Sequence, residues 1–278
     1  MRFLPFERFR NPPPMVAVIP MLGTIAPKAR FGQALNLAGL EDVIEQAFDL
    51  GGVSAVALSI NSPGGSPVQS ALIMQRIRLL SAEKKVPVFA FAEDVAASGG
   101  YLMALAGDEI YAHEASIVGS IGVIFAGFGF PEVMKKIGVE RRVYTAGEPK
   151  AMLDPFKPEV EEDINHIKEL QKDIHQYFQN LVISRRGDRL KGEAALLFTG
   201  DVWAGAQAAE LGLIDGVGDM RGVMREKFGD KTRFKVMGAD KGWLRSRLGL
   251  GLGSGRAGMA DQLLEALEAR GLWSRFGL

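Results

Sequence analysis

The chain has 278 residues, of which 47% are hydrophobic and 24% charged, a composition typical of a folded globular protein rather than a disordered or fibrous one. Lysine plus arginine and aspartate plus glutamate number 33 each, so no overall positive field attracts nucleic acid. The absence of cysteine excludes a disulfide framework, a thiolate metal site and a cysteine nucleophile. We expect neither a metal ion nor a cofactor.

The first 14 residues, MRFLPFERFRNPPP, combine arginines with phenylalanines and form the predicted N-terminal tail, 1–14. The tail lacks the apolar run and the small-residue cleavage site of a secretory signal, and no run of about 18 apolar residues follows it. We therefore expect a cytoplasmic protein without a signal peptide or a transmembrane helix. The tail is either frayed or lies on an anionic membrane surface as a peripheral contact.

Runs typical of strands at 15–21, 53–60 and 86–92 alternate with runs typical of helices at 40–50 and 68–83. This βαβαβ order predicts an α/β fold with a mainly parallel sheet covered by helices, and its ligand-binding loops should follow the carboxyl ends of the strands.

Further along, 115–131 is interpreted as a buried strand and loop, 139–158 as a strand ending in a turn-rich loop, and 158–186 as one long amphipathic helix. One domain is predicted over 15–240. A glycine-rich linker and an amphipathic helix follow over 241–278; that helix would dock on the domain, contact another subunit or lie on a membrane.

Two loops at predicted strand ends carry the candidate chemistry. In NSPGGSP, residues 61–67, the glycine pair forms either a plain turn or a nest of N–H groups for an oxyanion. In EDVAASGG, residues 93–100, Ser98 is either the N-cap of a helix or a nucleophile, in which case the Gly99 N–H would stabilise the developing negative charge. The sequence of either loop, taken alone, does not show which of its two interpretations is correct.

A serine nucleophile needs a base. The GxSxG pattern is absent, and the three histidines lie at a strand end and on polar helix faces, so a histidine triad is not supported. Carboxylates and lysines remain, and a lysine with an ordinary pKa of about 10.4 is almost wholly protonated at pH 7, so it would need apolar surroundings. Lys150, in GEPKAMLDPF, has more apolar sequence neighbours than Lys84, Lys135 or Lys172, although Glu148 and Asp154 are near.

The ordered set LSINSPGGSP, AASGGYLMALAGDEIYA, SIVGSIGV, TAGEPKAMLDPF and FTGDVWAGAQAAELGLIDGVG resembles the signal peptide peptidase A family of Ser–Lys serine peptidases over about residues 15–237. The resemblance implies the spiral of βαβ units found in the Clp protease and crotonase folds. It also implies Ser98 as nucleophile, Lys150 as general base, Ser120 as the residue that holds the lysine, and Gly65 with Gly99 as oxyanion donors.

The resemblance further implies an endopeptidase for hydrophobic, signal-peptide-like or unfolded peptides and a homo-oligomeric ring. The chain resembles the short, single-copy form of this family, so one chain's Ser98 and Lys150 are expected to complete a site. Two alternatives stay open: a crotonase-like acyl-CoA enzyme, which would transfer protons through carboxylates, and a non-catalytic scaffold of the same fold.

Overall fold

A computed structural model describes residues 12–27, 34–238 and 270–277. Eight strands lie in these ranges: β1 (Met15–Leu22), β2 (Val53–Ser62), β3 (Val88–Ala97), β4 (Glu109–Ala112), β5 (Ile117–Gly119), β6 (Val202–Ala204), β7 (Gly216–Val217) and β8 (Arg233–Val236). Most of the predicted N-terminal tail, the glycine-rich linker and most of the predicted C-terminal helix lie outside the described residues. The predicted domain boundaries stay predictions.

The helices of the described residues are α1 (Leu37–Phe48), α2 (Pro67–Lys84), α3 (Gly99–Ala104), α4 (Pro131–Ile137), α5 (Glu161–Arg186), α6 (Ala194–Leu197), α7 (Gly205–Glu210) and α8 (Met220–Phe228). Two 3-10 turns span Glu148–Ala151 and Gly187–Arg189, and residues 270–274 are helical. None of these described helices is long and apolar enough to cross a membrane.

The strands form one sheet in the order β6-β5-β3-β2-β1-β8, with β4 pairing beside β3 and β7 beside β4. Every pairing is parallel except that of β5 with β6. Helices follow the parallel strands and return the chain to the same edge, as βαβ crossovers require. The predicted α/β class with a mainly parallel, helix-covered sheet is confirmed.

Both faces of the sheet are buried. The larger core cluster packs α1, α2 and α3 against one face, with Ile19, Leu58 and Ile60 fully buried. A smaller cluster packs α8 on the opposite face, against Phe89 and Phe91. Apolar runs without strict alternation, such as VFAFA in β3, are what a strand covered on both faces requires.

Strand β3 changes its neighbour along its length, and this branch positions the site. Residues 89–92 pair with β4, whereas residues 95–97 pair with β5. On the other side, β2 pairs with β3 through an irregular register near Ile60 and Ser62. The carboxyl ends of β2, β3 and β5 therefore meet at one point of the sheet edge.

Two sequence interpretations were wrong in part. Residues 139–147 form no strand, and β6, rather than this stretch, pairs with β5 at that side of the sheet. Of the segment 115–131, only Ile117–Gly119 is a strand, and the chain then leaves the sheet. Its later aromatic residues are exposed, with Phe128 at 74%.

A buried ion pair fixes the end of α5 against the sheet. Arg186 is 3% exposed, donates to the Gly212 carbonyl at 2.9 Å and pairs with Asp215 at 2.7 Å. The Ile110 N–H donates to the same Asp215 oxygen. Burial alone would raise the pKa of the Asp215 carboxyl, but the hydrogen bonds from Arg186 and Ile110 outweigh it and the pKa lies below its ordinary value.

We expect Asp215→Asn to lower the free energy of unfolding by about 3 kcal/mol at pH 7, because it leaves the buried guanidinium without its counter-charge. A carboxyl whose pKa is lowered by folding stabilises the protein above its unfolded pKa of about 3.9, and this stabilisation is lost as pH falls through the folded value. The difference between parent and variant in urea unfolding should therefore shrink below about pH 4. Asp188→Asn, at an exposed position, is the control and should change stability little.

Candidate active site

The register of β3 and β5 brings two serines together. Ala97 pairs with Gly119 at the end of the two strands. The next residue on each strand is a serine, Ser98 on one and Ser120 on the other, and both line the same cavity. Two residues separated by 22 positions in sequence are thus neighbours because their strands end at the same level.

Ser98 has a backbone conformation that non-glycine residues seldom adopt. Its φ is 52° and its ψ is −121°, and it occupies the N-cap position of α3 without a side-chain capping hydrogen bond. Its N–H donates to the Gly119 carbonyl at 2.7 Å, and this hydrogen bond fixes the turn to the end of β5. The interpretation of Ser98 as a side-chain N-cap is therefore wrong, and a strained turn with a free hydroxyl is a feature of functional sites.

The glycine pair approaches Ser98 so closely that no side chain would fit. Gly64 has φ 101°, and a Cβ built there would lie 2.8 Å from the Ser98 Cβ and from the Gly99 nitrogen. Gly65 has φ 139° and bridges to Ile25. This loop needs glycine for its conformation and for the close contact of two backbones.

Two N–H groups at this contact lack a hydrogen-bond partner within the described residues, those of Gly65 and Gly99. Both residues line the cavity beside Ser98. The Gly99 N–H also lies at the first turn of α3, where helix N–H groups have no intrahelical acceptor. Paired backbone donors next to a hydroxyl are the components of an oxyanion hole.

The cavity has a volume of about 410 Å³ and mainly apolar walls. Its aliphatic and aromatic lining comes from α3, the segment after β5 and α5, through Leu102, Ile124, Ile174, Tyr177 and Phe178. No carboxylate lines it among the residues that the structure describes. The described lining of the cavity is therefore mainly apolar and holds no acidic group for the proton transfers of an acyl-CoA enzyme.

The C-terminal turn also reaches this cavity. Leu272 and Arg275 are among its lining residues, and Leu272 is half-buried. Arg275 supplies the one charged side chain in the described lining. Of the three sequence-based alternatives for the C-terminal helix, this placement favours docking on the domain.

Ser120 and the residues after it are held by long-range contacts. Ser120 has φ 53° and is 6% exposed, and its N–H donates to the Asp201 carbonyl at 2.6 Å. His175 of α5 bonds through Nε2 to the Ile121 carbonyl at 3.1 Å. Sequence analysis did not single out His175, because a histidine on a polar helix face carries no local sign of a partner 54 residues away.

Lys150 is the one predicted site residue that the structure does not bring to Ser98. It lies in the turn Glu148–Ala151, is exposed, and is not among the residues lining the Ser98 cavity. Its neighbour Ala151 instead lines a second cavity of about 470 Å³, between residues 125–129 and the first half of α5. No cluster of potential metal ligands occurs among the described residues.

A family model described as Peptidase family S49 matches residues 81–231, which is more than half of the chain. The "Serine protease SPPA, chloroplastic" of Arabidopsis thaliana is 31% identical over 217 residues, 74% of this chain and 31% of that protein. A "Na(+)/H(+) antiporter NhaA" of Brucella abortus (strain 2308) is 49% identical over 286 residues, 100% of this chain and 39% of that protein. The chain thus spans well under half the length of these relatives.

The fold has a counterpart among solved structures. The 1510-N membrane-bound stomatin-specific protease, as a lysine-to-alanine mutant in complex with a substrate peptide, superposes with a TM-score of 0.52 at 16% identity. The match covers 86% of this chain and 99% of that one, so the two share their fold. Given the extent of the family match, the chain belongs to peptidase family S49.

Proposed function

We propose that this peptidase is a serine endopeptidase in which Ser98 is the nucleophile and Lys150 the general base. The observation that carries the proposal is the Ser98 turn: a left-handed serine, without a capping bond, beside the unpaired N–H groups of Gly65 and Gly99. A serine that only capped a helix would use its hydroxyl for that bond and would need neither the strain nor the donors.

The proposed reaction gives each of these groups a role. Neutral Lys150 removes the Ser98 proton as the oxygen attacks the peptide carbonyl, and the Gly65 and Gly99 N–H groups bind the resulting oxyanion. The protonated lysine then gives its proton to the leaving amine. Water, deprotonated by the same lysine, releases the acyl group and restores the serine. Ser120, beside Ser98 in the cavity, would hold the lysine amine.

Lys150 has to reach Ser98 for this chemistry, and we propose that self-association brings it there. The segment carrying the lysine exposes large apolar side chains, including Ile137 at 63%, Val139 at 51% and Tyr144 at 91%. Patches of this kind mark interaction surfaces. A homo-oligomeric ring would cover them and place one copy's Lys150 at another copy's Ser98, in contrast to the one-chain site expected from sequence.

The apolar cavity walls favour hydrophobic, signal-peptide-like or unfolded peptides as substrates. An extended, apolar peptide and an unprotonated lysine need the same dry surroundings. The cytoplasmic location, with a peripheral membrane contact through a terminus, stays a prediction from the sequence.

Ser98→Ala and Lys150→Ala should each lower kcat/KM for casein or a hydrophobic peptide by at least about a thousandfold, since each removes a group that takes part in bond making. Cleavage is measured by mass spectrometry alongside Ser184→Ala and Lys231→Ala, which alter the same residue types far from the cavity and should retain activity. Equal cleavage by the parent and both site variants would overturn the proposal.

Mixing the two inactive variants tests where the lysine comes from. After co-refolding equal amounts of Ser98→Ala and Lys150→Ala, we expect about a quarter of the parent's specific activity, the share of randomly formed interfaces that pair an intact serine with an intact lysine. A mixture as inactive as its components would show instead that one chain supplies both groups. Light scattering on each sample checks that the variants assemble like the parent.

A further inference from the structure

We propose that the second cavity, built around Asp154, is a subsite that binds a lysine or arginine side chain of the peptide substrate. This inference rests on the proposed peptidase function and extends it to substrate selection at a distance from the cleaved bond. Nothing in the chemistry of the Ser98 cavity calls for such a charge preference.

Asp154 is a buried carboxylate with an unused oxygen. Its side chain is 4% exposed, and one oxygen, Oδ1, pairs with Arg141 at 3.0 Å and accepts the Phe156 N–H at 3.1 Å. The other oxygen, Oδ2, is buried and has no hydrogen-bond partner among the described residues. A buried acceptor without a donor is unfavourable, so a ligand that brings a donor to it gains from the pairing.

The surroundings of Asp154 fit an aliphatic side chain with a cationic end. The cavity that it lines holds about 470 Å³, and Phe128, Leu153, Ile164 and Ile167 contribute apolar surface. Lysine and arginine place a hydrocarbon stem on such surface and a strong donor at its end. A peptide N–H could reach the oxygen only by bringing the polar backbone into the same apolar space.

The other charged groups that line this cavity are of mixed sign, and most of them are exposed. Lys157 and Lys168 are balanced by Glu159 and by Asp163, whose carboxylate accepts the Leu153 N–H. Lys157, Lys168 and Glu159 are exposed to solvent, which screens them, whereas Asp154 is not. Arg141 neutralises the Asp154 charge through Oδ1, so the preference of the cavity rests on Oδ2, which is left to accept a hydrogen bond from a cationic side chain.

The two cavities are lined by adjoining parts of the same two segments. Helix α5 lines the Asp154 cavity up to Gln171 and the Ser98 cavity from Ile174 onward, and the segment after β5 lines both, with Ile124 in one and Phe125 in the other. The centres of their α5 linings are about ten residues apart, about 15 Å of helix. An extended peptide covers that span with about four to five residues.

The test uses pairs of apolar ten-residue peptides. The two members of a pair differ at one position, which carries either lysine or its uncharged analogue norleucine. The pairs cover in turn each position three to six residues from the cleaved bond, on both sides. For at least one position we expect the parent to cleave the lysine peptide with kcat/KM about tenfold higher, the effect of one hydrogen bond to a charged group. Asp154→Asn should reduce this ratio to about one.

Glu159→Gln is the matched control, because it removes the same charge from the same cavity at an exposed position, and it should keep the lysine preference. Ile167→Trp fills the cavity and leaves Asp154 and Arg141 in place, so it should lose the preference even if Asp154→Asn folds poorly. A parent without lysine preference at any position, or a control that loses as much as Asp154→Asn, would overturn the subsite.

Binding to the Ser98→Ala variant separates this inference from the catalytic proposal. Fluorescence anisotropy should give the lysine peptide an about tenfold lower Kd than the norleucine peptide, and the difference should vanish when Asp154→Asn is added. Cleavage by Ser98→Ala would refute the catalytic proposal alone. If Ser98→Ala binds both peptides with equal affinity while the parent cleaves both, the subsite is refuted and the catalytic proposal is not.

Discussion

The site depends on one pairing, that of Ala97 with Gly119 where β3 and β5 end. The Ser98 N–H bonds to the Gly119 carbonyl, and from there the chain turns at once into α3. Because Gly64 packs against the same turn, Ser98 cannot relax to an ordinary backbone conformation without moving either β5 or the glycine loop. The strain is thus maintained by the sheet and not by the serine itself.

Helix α3 resists movement because it is buried along its whole length. The Tyr101 hydroxyl donates to the Leu213 carbonyl at 2.7 Å, and Arg185 of α5 donates to the carbonyls of Leu105 and Gly107. The adjacent Arg186 pairs with Asp215. The last turns of α5 therefore anchor the helix that follows Ser98, while its earlier turns line both cavities.

Local sequence patterns predicted much of this arrangement. Apolar runs and their spacing gave the alternating strands and helices, and the loops after β2 and β3 placed Gly65, Ser98 and Gly99 at one edge. The conformation of Ser98, the contact of His175 with Ile121 and the unused oxygen of Asp154 depend on residues distant in sequence, and no local pattern reveals them. The strand expected at the start of 139–158 does not form, because a strand needs a pairing partner and the residues of this segment do not specify one by themselves.

The exposed position of Lys150 has a consequence for control of the proposed activity. In a single chain the proposed nucleophile and oxyanion donors lie together, whereas the proposed base, Lys150, lies outside their cavity, so the proposed reaction could not proceed there. If self-association supplies the lysine, activity follows the concentration of assembled protein, because association is driven by mass action. A single copy would then leave other proteins uncut, and covering the apolar surface near Ile137 would both stabilise the assembly and complete the site.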